Sequence, residues 1–479
     1  MNTRMIVYLL GVVLLIEAVL LLFPMIVALI FGESVLPFLL TVGLLLIVSA
    51  PAVCRKPKNI RIFAKDGFVC VAAAWILLAV FGALPFVFSG AIPNFISAFF
   101  ETVSGLTTTG ASILTEVESL PRGILFWRSL THWIGGMGVL VFMLAILPMA
   151  GGQTMHLMRA EVPGPTKGKL VPRMRHTAII LYGIYMALTA LLVVALLLCR
   201  MPLYDSIVNA FATAGTGGFS VLNSSIGGYN NPAAEWVIAF AMVLFGVNFN
   251  LYYFLLIRRF REVRQSEELR VFLILIVLAT AAVAANTYSL FDGLGECLRT
   301  AFFQVATIIS TAGFATADFN LWPSFSKTIL LILMLTGSCA GSTAGGLKIS
   351  RVIILVKSVF REIRHVLRPR SVNAVRLDGE AVPAETVRSV TGYLVFYVLL
   401  IVLTVLLISF DGFDTETNIS AVLACINNVG PGFGAVGPTS NFAGFSLFSQ
   451  ILLSVSMLFG RLEIMPMIIL LTPATWKKH

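Results

Sequence analysis

One pattern recurs four times along this chain, and it limits the possible folds more than any other feature. A long apolar run is followed by a short one, then by a Gly/Thr-rich turn, then by a second long apolar run. The runs that open each unit cover about 67–89, 177–199, 271–290 and 388–410. Those that close it cover about 124–148, 233–257, 324–357 and 445–472. A helix of roughly 20 apolar residues crosses a hydrocarbon layer of about 30 Å, so each long run is expected to span. Two further runs, at about 6–30 and 36–54, precede the first unit.

Composition leaves only a membrane class open. The 479 residues are 58% hydrophobic and 12% charged, with mean hydropathy +0.95, whereas a soluble domain carries roughly a quarter charged residues. The expectation is an all-α polytopic protein of about ten spans in a lipid bilayer. The first run is too long for a signal-peptide core, lacks a small-residue cleavage site and leads at once into a second run, so it reads as a span. The cysteines (Cys54, Cys70, Cys199, Cys297, Cys339, Cys425) lack zinc-site or redox-pair spacing and read as small apolar fillers.

A net charge of +10 could suggest nucleic acid, but its distribution excludes that partner. Basic residues gather in alternate loops: Arg55 to Lys65, Arg159 to Arg175, Arg258 to Arg270, Lys348 to Arg376, then Lys477 and Lys478. Between them stand little more than Arg122, Arg200 and Arg299. This positive-inside pattern puts both termini in the cytoplasm. The same loops could touch anionic headgroups, though the topogenic reading suffices.

The short apolar segments, 94–106, 204–214, 294–310 and 416–427, cannot cross. Stretches of 10–14 residues are better read as re-entrant helices, and the charge alternation requires it. Each is followed by a [T/N]-x-G turn: Thr108-Thr109-Gly110, Thr216-Gly217-Gly218, Thr311-Ala312-Gly313 and Asn428-Val429-Gly430. Non-helical backbone at membrane depth must line water or lie buried in protein. Four such turns on one axis would present rings of carbonyls able to replace the hydration shell of a cation. Glycine allows the positive φ this needs, the hydroxyl can complete the innermost site, and the helix C-termini favour positive charge. Ordinary Gly/Thr packing is the competing reading, but packing motifs sit inside spans at i, i+4. Outer segments carry Glu116, Glu118, Asp292, Glu296, Asp318, Asp411, Asp414 and Glu416, an excess of acid that would concentrate cations.

Two interruptions lie beyond the turns. The third closing run contains 337–346, with Gly337, Gly341, Gly345 and Gly346 and no large side chain. Such a stretch cannot be a stable helix in lipid; it reads as a flexible intramembrane loop across the pore, a gate, with a rigid packing kink as the alternative. The fourth contains Phe459-Gly460-Arg461-Leu462-Glu463. An arginine that deep in an apolar run implies a function: a positive barrier in the pore, a hold on the loop carbonyls, or a pair with Glu463.

At these residues the chain resembles the Trk/Ktr/HKT superfamily of potassium transporters, and especially the bacterial Trk-type membrane subunit. The resemblance spans nearly the whole chain and is carried most specifically by the segments at 104–110, 133–138, 159–165, 341–348, 427–432 and 459–463. It implies K⁺ uptake across the bacterial inner membrane through four membrane–pore–membrane repeats: 67–152, 175–266, 268–366 and 385–479, after two N-terminal helices in 1–66. It also implies a filter at Gly110, Gly218, Gly313 and Gly430, gating by the third-repeat loop, and obstruction by Arg461. A homodimer on a cytosolic ring of nucleotide-binding, TrkA-like subunits responsive to NAD(H) or ATP is implied too. The chain itself shows no P-loop or dinucleotide turn, so no cofactor is expected beyond the transported K⁺. With one glycine common to the four turns, K⁺/Na⁺ discrimination could be weaker than in tetrameric channels, although Gly110 in place of Ser leans towards K⁺ by family analogy.

The remaining alternatives are an H⁺- or Na⁺-coupled K⁺ symporter, with Glu101, His132 and Glu463 as relay candidates, and a membrane enzyme. The five histidines are dispersed and no HExxH, DxD or GxSxG pattern occurs, so no enzymatic activity is expected.

Overall fold

A computed structural model describes residues 1–54, 57, 59, 63–138, 174–370 and 373–476. Residues 139–148 of the first closing run, most of the first basic cluster, the loop holding Arg159, Lys167, Lys169 and Arg173, and Lys477 and Lys478 lie outside them.

The four short segments are helices: Phe95–Leu106, Leu203–Gly215, Leu294–Ile309 and Thr415–Ile426. At about 1.5 Å per residue they reach roughly 18–24 Å and cannot cross. Their starts are set by local chemistry. The Asn94 side chain accepts from the backbone of Ile96 and Ser97, Asp414 accepts from Thr417 N, and Pro202 opens the second helix. Each buries most of its surface inside the bundle.

Six helices are long and apolar enough to cross: Thr3–Ile30, Leu36–Cys54, Lys65–Phe88, Ala178–Leu198, Glu267–Leu290 and Ala384–Asp411. These are the two N-terminal runs and the four opening runs. They expose Leu191, Val194, Leu198, Val277, Leu278, Leu399, Val402 and Leu406. In water each such side chain would forfeit about 1.5–3 kcal/mol; against lipid tails it forfeits none.

Among the described residues the third closing run is interrupted where the sequence places a break, and the second and fourth, expected as continuous spans, are interrupted as well. The first gives Arg122–Gly136 and ends at Met137. The second is split into Pro232–Phe245 and Phe249–Leu256, bent by 89°. The third stops at Thr336 and resumes at Ile349. The fourth gives Leu447–Arg461 and then Met465–Leu471. Glycine marks the first three breaks (Gly136, Gly246 and Gly337), and Gly460 lies just before the fourth.

Each closing helix packs on the short helix of its own repeat and on that of the next. Arg122–Gly136 meets Leu203–Gly215, Pro232–Phe245 meets Leu294–Ile309, Ser324–Thr336 meets Thr415–Ile426, and Leu447–Arg461 returns to Phe95–Leu106. The contacts therefore close a ring of four repeats.

Candidate functional site

All four short helices end in one backbone motif. The residue after the helical turn is left-handed: Thr108 at φ 55°, Thr216 at 56°, Thr311 at 56° and Asn428 at 54°. The next residue then reaches back five positions, with Thr109 N donating to Ser104 O at 2.8 Å, Gly217 N to Ala212 O at 2.8 Å, Ala312 N to Thr307 O at 2.9 Å and Val429 N to Ala424 O at 2.8 Å. This is a Schellman cap, which ordinarily carries glycine at the left-handed position. Here three of the four are β-branched threonine, for which positive φ is a true outlier. Each costs on the order of 1–3 kcal/mol, the kind of strain that persists where a side chain is needed.

Two residues on, Gly110, Gly218 and Gly313 lie at φ 80° and Gly430 at 99°. A Cβ on Gly110 would collide with the carbonyl oxygen of Gly217, one on Gly218 with that of Ala312, and one on Gly313 with that of Val429. A Cβ on Gly430 would come within 2.7 Å of the Thr109 carbonyl. Each glycine thus seats against the middle carbonyl of the next repeat, and the fourth returns to the first. All twelve predicted turn residues stand in this one closed circle. Asn428 Nδ2 secures the seam by donating to Thr109 Oγ1 at 3.0 Å. Thr108 Oγ1 and Asn428 Oδ1 are buried without a hydrogen-bond partner.

One side of the circle opens into a cavity lined by all four glycines. The outer acids do not line it. Asp318 and Asp414 cap helices, Asp411 accepts from Ser446 N at 2.9 Å, Glu118 accepts from Asn223 N at 3.1 Å, and Glu416 pairs with Lys327 at 3.0 Å.

The other side is covered by 337–348. Gly345 N donates to Thr311 Oγ1 at 2.8 Å, tying this loop directly to the circle. The loop also satisfies helix ends exposed by the bend in the second closing run: Cys339 N donates to Gly246 O at 3.2 Å and Thr343 Oγ1 to Phe245 O at 3.2 Å. At its base, Glu268 Oε1 accepts from Ala340 N at 2.7 Å and Ser350 N at 3.0 Å. Arg461 donates to Thr343 O at 2.7 Å, to Gly136 O at 2.8 Å and to Gly135 O. It therefore joins the loop to the end of the first closing helix, while Glu463 pairs with Arg351 instead.

Glu101 and His132 have structural partners. His132 Nδ1 faces Gly105 O at 2.7 Å, and its Nε2 accepts from Phe219 N at 3.3 Å. These contacts define a neutral ring wedged behind the second turn. Glu101 pairs with buried Arg128 at 2.7 Å. Arg128 and Glu268 were not singled out from the sequence. The only signal was a charge beside or inside an apolar segment, with nothing to name its partner.

Among the described residues no group of three His, Cys, Asp or Glu could hold a metal ion. The turns themselves offer backbone carbonyls and no carboxylate.

These features define a class: polytopic membrane proteins in which four re-entrant-helix repeats close into a ring around one axis. The chain belongs to the TrkH family of cation transport proteins, whose model matches residues 38–478. It is 39% identical over 433 residues to the Trk system potassium uptake protein TrkH of Escherichia coli (strain K12), covering 88% of each chain. The protein TrkG of the same organism is 35% identical over 461 residues, covering 95% of this chain and 94% of that one. The crystal structure of the potassium transporter TrkH from Vibrio parahaemolyticus superposes with a TM-score of 0.89 at 33% identity, covering 100% of both chains.

Proposed function

We propose that this chain takes up K⁺ across the cytoplasmic membrane by channel-like conduction, with Thr108–Gly110, Thr216–Gly218, Thr311–Gly313 and Asn428–Gly430 as the selective ring. The loop 337–346, with Gly337, Gly341, Gly345 and Gly346, is the gate, and Arg461 holds it shut. The functional repeats are 67–152, 175–266, 268–366 and 385–479, following the N-terminal pair in 1–66. The observation that carries this reading is the closure of the ring, glycine against neighbouring carbonyl, through all four repeats. Preorganised carbonyls on one axis can substitute for ion hydration. The named activity of the relatives, potassium uptake, selects K⁺.

Family membership and the charge alternation support inner-membrane placement with both termini inside, a homodimer, and a cytosolic nucleotide-binding regulatory subunit. Coupled symport has less support, since Glu101, His132 and Glu463 are all held by structural partners.

The test is ⁸⁶Rb⁺ and ²²Na⁺ flux into liposomes containing the full chain. Rb⁺ uptake should exceed Na⁺ uptake and follow the Rb⁺ gradient whatever the pH gradient. Equal fluxes would sink the selective ring, and uptake that tracks the pH gradient would favour symport.

A further inference from the structure

Among the described residues lining the outer cavity, Arg128 alone carries a charge. A bare guanidinium at the mouth of a cation pathway repels its own cargo. The surroundings of Arg128 explain how it is tolerated. Its Nε donates to Glu101 Oε1 at 2.7 Å and its Nη1 to the Ser220 carbonyl at 3.1 Å. The guanidinium carbon lies 3.5 Å from the Phe219 ring centre. Glu101 in turn accepts from the Ser112 hydroxyl at 3.0 Å and from Ile113 N at 2.9 Å. One ion pair therefore grips the segment leaving the ring in the first repeat and the segment leaving it in the second.

The other repeats are built differently at this point. Nine residues before the ring glycine stand Glu101, Asn209, Gln304 and Ala421. Gln304 reaches Thr316 and Ala317 on the segment leaving its own turn, without charge. The later seams carry ion pairs too, Glu235 with Arg299 at 2.8 Å and Lys327 with Glu416 at 3.0 Å, but these join closing helix to short helix; among the described residues, only the Glu101–Arg128 pair bonds the segments leaving the ring.

We propose that Glu101 and Arg128 form a charge-balanced clamp: positioning residues that fix the outer end of the ring and set how readily a cation arrives there. This rests on the reading of the ring as the selective element. Glu101 neutralises Arg128, and Arg128 orients Glu101 and the Ser220 carbonyl. Removing Glu101 leaves a buried cation facing the pathway; removing both leaves the mouth neutral but the two segments unclamped.

The experiment compares full-length wild type, E101Q, R128K and E101Q/R128Q in liposomes, reading ⁸⁶Rb⁺ uptake against Rb⁺ concentration and the Rb⁺/Na⁺ flux ratio. For E101Q, the half-saturating Rb⁺ concentration should rise roughly three- to tenfold at low ionic strength, and less at high salt. E101Q/R128Q should recover that concentration while keeping a lowered Rb⁺/Na⁺ ratio. R128K keeps the charge but not the fork, so it should hold the wild-type half-saturation and lower the ratio. A purely structural role would leave the double variant no better than E101Q, and that result overturns the proposal. If E101Q does not reach the membrane, the double variant carries the test: an unchanged Rb⁺/Na⁺ ratio overturns it. Wild type that does not discriminate Rb⁺ from Na⁺ would instead sink the ring reading.

Discussion

Around the ring the four repeats are near copies of one another. The left-handed residues differ in φ by only a few degrees, from 54° to 56°, and every glycine meets the next repeat's carbonyl. A few residues away, on the side of the loop, the same repeats have little in common. One closing helix ends at Gly136, one bends by 89°, one opens into 337–348, and one turns after Arg461. Likeness in the first region is what a bound ion demands, since it needs oxygens on every side at one distance. Control makes no such demand. A single loop can close a single pathway; here it docks on Gly246 O at the second break and on the Arg461 guanidinium at the fourth, which in turn donates to Gly135 O and Gly136 O at the end of the first closing helix. On the function proposed above, selectivity is shared by the repeats, while gating is divided among them.

That division can be broken from the gate side. Deleting 341–345 removes the bonds to Thr311, Phe249 and Arg461 at once. Basal ⁸⁶Rb⁺ flux should rise at least about tenfold, as expected when interactions worth more than ~1.4 kcal/mol are lost, with the Rb⁺/Na⁺ ratio kept. Unchanged flux would favour a rigid packing kink. Arg461→Gln is the next step down. It removes one tie to the loop, at Thr343 O, but leaves the bonds to Thr311 and Phe249 and the base latch at Glu268. Basal flux should rise by a smaller factor in the same assay, and a fall would contradict a restraining role. Thr311→Val should do least. It deletes the single bond from the loop to the ring and leaves Gly345 N without its acceptor, a cost of about 1–3 kcal/mol. A modest rise in flux together with a modest loss of Rb⁺/Na⁺ discrimination is expected, because this residue belongs to both regions. A change in flux alone would separate the regions completely.

The ring was legible in the sequence for a physical reason. A helix too short to cross, placed where the charge pattern requires a return, must re-enter, and a threonine-x-glycine turn after it needs special backbone angles. The predicted limits 94–106 and 294–310 differ from the observed Phe95–Leu106 and Leu294–Ile309 by a residue at most at either end. The breaks in the closing runs were less visible. Gly246 is one glycine in an apolar stretch and looks like a tolerated packing residue until the loop from another repeat is seen to take its carbonyl. The Glu101–Arg128 pair was hidden similarly. Arg128 lies within a helix whose apolar face dominates, and the partners of both residues come from turns distant in sequence. Pairings across repeats leave no periodic trace. Arg461 was legible as functional by its cost in an apolar run, but its partners were not.

On the proposed function, four alike turns make one selective ring. Gly313→Ser tests it most directly, because a Cβ there collides with the Val429 carbonyl and strains a backbone at φ 80°, while the loop and its latches remain. In liposomes holding the full chain, Gly313→Ser should retain ⁸⁶Rb⁺ flux and admit ²²Na⁺, lowering the Rb⁺/Na⁺ ratio by about tenfold or more, the effect of a disturbance above ~1.4 kcal/mol. A well-folded variant with the wild-type ratio would contradict the account.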